Sequence, residues 1–268
     1  LLMIHVLLPE TTTRPLPFYL AMEEVVAAVF AEECLFTWVV KPTVIFGRNQ
    51  DMSTEVNAEF CRSNGIDMVR RKSGGGCVYA DEGNIMTSYV TPTNGMPVEE
   101  VFAGYLHRMA ETLNSIVCPL PEGLTIHTTG RNDIMLGNRK ISGNALYTLN
   151  GMRSAIVHGT LLHSTDIGRM ERAITPSAEK LASKGVRSVR QRVANLSEVT
   201  AIGITQLRRL IANRLCSKDV LLSAEMVAEA EALMVTYSSR EWLERRSPGM
   251  TESALPRDVH GSDGVVGA

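Results

Sequence analysis

Residues 70–84, RRKSGGGCVYADEGN, hold the densest run of usable chemistry in the chain. Two arginines lead through Lys72 and Ser73 into three consecutive glycines, and the apolar Cys77-Val78-Tyr79 follows. Gly74, Gly75 and Gly76 open backbone angles closed to other residues and let a ligand press against bare main chain. N–H groups freed in such a turn form a concave nest for anions, and Arg70 and Arg71 offer planar forks matched to phosphate or carboxylate. The segment reads as a cradle for an anion, a phosphate first of all. A Gly-rich hairpin turn with exposed arginines is the competing reading.

A second charged group lies at 130–144, GRNDIMLGNRKISGN. Asp133 and Lys140 stand on opposite sides of a hairpin-like turn and are followed by the small Ser142-Gly143. A lysine beside a glycine loop can neutralise a carboxylate and then follow charge onto a phosphorus as it becomes five-coordinate. A preorganised cation of that kind contributes about 10²–10³ in rate. The aspartate would orient the lysine or receive Mg²⁺ carried by nucleotide phosphates. A surface turn with a salt-bridged pair explains the spacing at least as well.

These residues need elements to hold them. Phe18 to Glu33 has the spacing of an apolar-rich helix entered after Pro15 and Pro17. Leu35 to Val40 and Thr43 to Phe46 read as strands parted by Lys41-Pro42. Ser53 or Thr54 caps a helix running to about Ser63, where Asn64-Gly65 stops it. Ile66 to Arg70 is a strand that delivers the chain into the glycine loop, Ile85 to Val90 another, and Val98 to Ile116 a helix. Ala145 to Leu149 and Arg153 to Leu162 flank Asn150-Gly151 as a type I′ hairpin, and Gly137-Asn138 turns a similar pair. Helical spacing follows over Asp166 to Ala173, Pro176 to Ser183, Thr205 to Leu215 and Ala224 to Val235. Clustered antiparallel strands ringed by helices predict an α+β fold with mixed, largely antiparallel sheets.

Composition narrows the classes. At 268 residues the chain is one large domain or two small ones. Twenty-seven Lys and Arg against 29 Asp and Glu leave a net charge of −2, which gives no general field for nucleic acid or a membrane surface. Five scattered cysteines without a CxxC pair read as reduced intracellular thiols, and the six histidines lack metal-ligand spacing. The N-terminus lacks the basic region of a signal peptide, and the longest apolar run, Val25 to Ala31, is far short of a membrane span. A cytoplasmic protein is expected.

The ordered motifs resemble those of the lipoate–protein ligase A family, within the biotinyl/lipoyl ligase superfamily. A glycine-loop motif close to RRxSGGGxVYHDxGN is matched by Arg70 to Asn84. GRND followed by KxSG is matched by Gly130 to Asp133 and Lys140 to Gly143, and HGTLL by His158 to Leu162. KLxSKGxxSVRxRVxNLSE is matched by Lys180 to Glu198. The resemblance implies a biotinyl/lipoyl-transferase-like catalytic domain over residues 1–249, while the Gly and Pro content, scattered charges and weak periodicity of 250–268 read as a disordered tail.

It also implies two half-reactions at one site. Lipoate attacks the α-phosphate of ATP, giving lipoyl-adenylate and pyrophosphate. A lysine of an acceptor domain then attacks the mixed anhydride, giving an amide and AMP. The implied acceptors are lipoyl domains of 2-oxoacid dehydrogenase complexes or the glycine-cleavage H protein. On this resemblance Arg70, Arg71, Ser73, Gly74, Gly75, Gly76, Cys77, Val78 and Tyr79 bind the adenylate, and Lys140 is the essential lysine. Asn84 and Asp133 support the phosphates, with Asp133 toward Mg²⁺. Ser142, Gly143, His158, Gly159 and Thr160 complete the set. The segment Lys180 to Arg190 covers the ligand, with Lys184 a phosphate partner; Arg187 and Arg190 share that role or are solvated.

Some positions depart from the family pattern. Ala80 replaces a histidine, Val157 replaces the first histidine before GTLL, and Cys77 stands where a small residue is usual. A buried Cys77 packs as a hydrophobe; an acyl-thioester role is the sharper alternative. Ser238 to Trp242 and Ser247-Pro248 echo the junction past which family members continue into an accessory domain. Three alternatives stay open: a separate accessory chain as partner, transfer of a preformed adenylate, or self-sufficiency. The alternative activity is a lipoyl or octanoyl transferase working from a carrier-bound acyl group, and a non-catalytic binding module is a third reading.

Overall fold

A computed structural model describes residues 3–149, 154–175 and 189–245. Its strands are β1 (Met3–Leu7), β2 (Cys34–Trp38), β3 (Thr43–Phe46), β4 (Asp67–Arg70), β5 (Val78–Ala80), β6 (Asn84–Pro92), β7 (Ile126–Thr128), β8 (Asp133–Leu136), β9 (Arg139–Thr148), β10 (Ser154–Leu162) and β11 (Cys216–Leu221). Its helices are α1 (Leu16–Val29), α2 (Met52–Glu55), α3 (Ala58–Ser63), α4 (Val98–Val117), α5 (Ile167–Ala173), α6 (Val189–Arg192), α7 (Ile204–Leu215), α8 (Ala224–Ser238) and α9 (Arg240–Glu244).

Eight strands form one sheet in the order β11-β1-β2-β6-β10-β9-β8-β7, and β4-β3-β5 form a second, smaller one. Most neighbours are antiparallel, as the hairpin signals predict, but β1 runs parallel to both β2 and β11, and β3 parallel to β4. The large sheet is covered on both faces, and side-chain alternation along its strands sorts the core into two. Phe36, Met86 and Ile156 pack with α1, while their neighbours Leu35, Ile85 and Val157 pack with α4 and α7. A third cluster joins the small sheet to α3 and α5.

α1 starts after Pro15 and carries Pro17 in its first turn, where a fixed φ suits the helix. Every residue from Leu16 to Ala27 is buried because the helix lies between the sheet and α8. That includes two consecutive acids, Glu23 and Glu24. The helix expected over 53–63 divides into α2 and α3, capped by Asp51 and Asn57. Val56 between them is extended, buried and bridged to Ile174, so apolar burial overrides the cap signal. The turn Asn150-Gly151, the helix expected over Pro176–Ser183 and the tail 250–268 lie outside the described residues. Among the described residues no helix is long and apolar enough to cross a membrane.

Candidate functional site

The glycine loop hangs between β4 and β5, and two buried arginines determine its shape. Arg70 donates from Nη1 to the carbonyls of Gly47, Arg48 and Gln50 at 2.7–3.2 Å, and from Nε to those of Trp242 and Leu243 at 3.1 and 3.2 Å. Arg71 donates from Nη1 to Ile45 O at 3.1 Å, from Nη2 to Gly74 O and Gly76 O at 2.7 Å, and from Nε to Ser73 Oγ at 2.9 Å. Burial lowers the Arg71 guanidinium to about 10, so it remains charged at neutral pH. Both forks therefore grip main chain. Arg71 thereby draws the carbonyls of Gly74 and Gly76 inward. Among the described residues no acceptor takes the N–H of Gly74, Gly75 or Gly76. Gly75 sits at φ +91°, where a side chain would strain the turn. Gly47 is glycine for space, since a Cβ there would lie 2.4 Å from Gly75 O.

Lys140 reaches the same cleft through an irregularity in the sheet. Asp133 pairs with Gly143 and Ile134 with Ser142, but Met135 then pairs with Lys140 and Ile141 is the extra residue. Without this bulge Lys140 would lie on the opposite face; with it, Lys140 joins Asp133 and Gly143. Lys140 Nζ is 2.6 Å from Asp133 Oδ1, a close ion pair outside good hydrogen-bond alignment, and Arg192 Nη2 stands 3.4 Å from Asp133 Oδ2. Gly143 makes room for the lysine, because a Cβ there would meet Nζ at 2.5 Å and Cε at 2.7 Å. Gly143→Ala should displace the ammonium, the free end of a flexible chain, with little harm to the sheet. We expect turnover to fall by about 10²-fold with the melting temperature held within a few degrees, measured on the purified variant.

Burial lowers the Lys140 ammonium below the usual lysine value, and Asp133 offsets part of this while Arg192 and Arg71 add to it. Raising pH therefore strips this proton earlier than from a free lysine. A half-reaction that uses the charge should lose rate on its alkaline limb below the ordinary lysine range. Lys140→Arg, which does not titrate there, should lack that limb. Pre-steady-state rates against pH would test both, and an identical limb in the two proteins would refute the assignment.

The HGTLL segment lies in β10, between β6 and β9. Gly159 leaves room for a neighbour, since a Cβ would stand 2.0 Å from Asn144 Oδ1. Asn144 uses that space to donate to Asn132 O and Ser142 Oγ, both at 3.1 Å. His158 is buried, with Nε2 2.6 Å from Ser73 Oγ and Nδ1 3.0 Å from Glu23 Oε2.

The open cleft that results has a lining divided by chemistry. Leu16, Leu20, Trp38, Ile45, Val78 and Met86 supply apolar surface, while Arg71, Lys140 and Arg192 supply cations. Of the residues singled out in the sequence, Arg71, Gly75, Gly76, Cys77, Val78, Lys140, Gly143, His158, Gly159 and Thr160 line it. Arg70, Ser73, Gly74, Tyr79, Asp133 and Ser142 are not part of the lining. Asn84 is fully buried away from the lining, where its Oδ1 accepts from Asp81 N and Thr165 Oγ1 and ties the following turn. Ala80 is buried in the core. Lys184 lies outside the described residues. Sequence reasoning passed over Glu23, Trp38, Asn132 and Arg192. Asn132 and Arg192 sat inside quoted motifs; Glu23 signalled itself only as an acid in an apolar helix.

Asp133 already faces two cations, and among the described residues no group of three or more His, Cys, Asp or Glu stands ready to hold a metal. As placed, the carboxylate is a poor fit for Mg²⁺.

Known proteins resemble this chain in sequence and in fold. Residues 16–215 match the family model described as the lipoyl protein ligase A/B catalytic domain. Lipoate–protein ligase 1 of Staphylococcus aureus is 39% identical over 181 residues, 67% of this chain and 52% of that protein. Lipoate-protein ligase LplJ of Bacillus subtilis is 36% identical over 167 residues, 62% of this chain and 48% of that protein. The chain thus spans about half the length of these curated relatives. In fold it matches a bi-partite lipoate protein ligase of Thermoplasma acidophilum, studied with its E2 lipoyl domain, at TM-score 0.78 and 24% identity, covering 92% of this chain and 99% of that one. It matches a lipoate-protein ligase A bound with ATP at TM-score 0.75 and 23% identity, covering 90% and 98%. With three-quarters of its length inside that family model and the motif residues gathered around one cleft, the chain belongs to the lipoyl protein ligase A/B catalytic domain family.

Proposed function

We propose that this protein attaches lipoate to a lysine of a lipoyl acceptor domain, through a lipoyl-adenylate made from ATP. The observation that carries the reading is Lys140, an ammonium delivered by a bulge to a cleft that is also lined by apolar side chains and by a glycine loop whose amides have no acceptor among the described residues. The apolar lining takes the acyl chain, and the loop amides with Arg71 take phosphate charge. Lys140 first neutralises the lipoate carboxylate. It then stabilises the α-phosphate as a carboxylate oxygen bonds to phosphorus and pyrophosphate leaves with the bond's electrons. In the second step an acceptor amine attacks the acyl carbon, AMP departs, and the amine loses its proton. Mg²⁺ enters with ATP as part of the substrate.

Octanoate should compete with lipoate, because a pocket lined by aliphatic groups separates such chains by only about 1–3 kcal/mol. The apolar lining that shelters the acyl end also limits water attack on the anhydride.

The test mixes the protein with lipoate, Mg-ATP and an acceptor lipoyl domain and follows the acceptor by intact mass. The expected result is the gain of one lipoyl group. A parallel reaction with synthetic lipoyl-adenylate separates transfer from activation. Modification in that arm alone would assign activation to a second chain. An acceptor unmodified in both arms would overturn the reading.

A further inference from the structure

We propose that Glu23 is a positioning residue that sets the acyl wall and the nucleotide loop of the cleft together, an inference that rests on the function proposed above. Glu23 is fully buried in α1 and outside the cleft lining. One oxygen accepts from Ser88 Oγ at 2.7 Å, and Ser88 in turn accepts from Trp38 Nε1 at 3.0 Å, on the apolar wall. The other oxygen faces Tyr147 OH at 3.2 Å and His158 Nδ1 at 3.0 Å, and that nitrogen also stands 3.2 Å from the first oxygen.

Donor inventory fixes the direction of the second arm. Arg71 Nε–H can only donate, so Ser73 Oγ accepts from it. Among the described residues the Ser73 proton then has one acceptor within reach, His158 Nε2 at 2.6 Å. That leaves the imidazole proton on Nδ1, pointing at Glu23. The chain of bonds runs Arg71 to Ser73 to His158 to Glu23, with each proton placed by the next acceptor. Its connectivity matches a Ser-His-acid triad. However, Ser73 is wholly buried and does not line the cleft, so it orients Arg71 and attacks nothing.

Three substitutions separate the arms. Ser73→Ala should weaken ATP binding by about 10-fold and leave lipoate binding within about twofold. Ser88→Ala should do the reverse. Glu23→Gln should weaken both, and calorimetry with lipoate and with ATP reads each constant. Glu23→Gln should be non-additive with each serine variant, whereas the two serine variants should be additive with each other. A general packing defect would weaken both ligands equally in all three.

Nitrogen-15 spectra of the histidines in the ligand-free protein test the relay independently of activity. His158 should show a protonated Nδ1 and bare Nε2, and Glu23→Gln should abolish that bias. If instead Nε2 carries the proton, or the spectrum ignores Glu23→Gln, the relay is wrong even where the protein ligates lipoate. Should the native protein bind neither ligand, the functional reading and the arm assignment fall together, while the spectra still decide the relay.

Discussion

Lys140→Ala should lower adenylate formation and lipoyl transfer by about 10²–10³-fold without unfolding the protein. Among the described residues it is the lysine that lines the cleft, and its ion pair with Asp133 orients it toward the space between loop and apolar wall. Truncation removes the cation that would follow charge from carboxylate to phosphate. Asp133 keeps Arg192 as a partner, so the variant does not strand a lone buried carboxylate. Single-turnover rates and a thermal melt distinguish chemistry from folding. Arginine at 140 keeps the charge but not the compact ammonium that fits the notch at Gly143, and should recover only part of the rate. Full transfer by the alanine variant would refute the mechanism.

Trp242→Ala should give the largest loss of stability, about 3–5 kcal/mol from cavity formation alone. This residue lies beyond the segment shared with the family model, yet its indole Nε1 donates to Arg70 O at 2.8 Å and its own carbonyl accepts from Arg70 Nε. Tyr237 packs against it edge-on, and the Tyr237 hydroxyl bonds Glu24, which also pairs with Lys72 at 2.7 Å. Of the residues on either side of Arg71, Arg70 is thus held by α9, and Lys72 by Glu24 of α1 and the Tyr237 ring of α8. Loss of Trp242 should free the loop as well as lower the melting point, visible as faster hydrogen exchange over residues 70–77 and weaker ATP binding. Trp242→Phe, which keeps the ring and drops the N–H, should retain most of the stability. Unchanged exchange in the alanine variant would show that the loop holds itself.

The sequence made the local parts legible and the long-range parts obscure. β3 and α4 lie where spacing placed them, because each reads from its own periodicity. The glycine loop and Lys140 meet in the cleft as the motifs required. What the arginines do was not legible. Side-chain type offered an anion fork, but Arg70 and Arg71 meet carbonyls from residues 45–50 and 242–243, which no local pattern reveals. The bulge at Ile141 was equally hidden, since it depends on pairing register. Glu23 was passed over because an acid within an apolar helix gains meaning only once Ser88 and His158 approach from β6 and β10. β1 and β11 escaped notice for opposite reasons: one is a brief apolar stretch near the N-terminus, the other is rich in polar groups.

That pair of strands bears on how the protein is made. β1, Met-Ile-His-Val-Leu, can join β2 early during synthesis, but its other side waits for β11, which leaves the ribosome some two hundred residues later. The finished border, β11, carries Lys218 and Asp219 and discourages foreign strands. The provisional border has no such charges. Between the emergence of β2 and that of residue 221 the nascent chain displays an unpaired ribbon along β1, and its exposure to misassembly is concentrated in that interval.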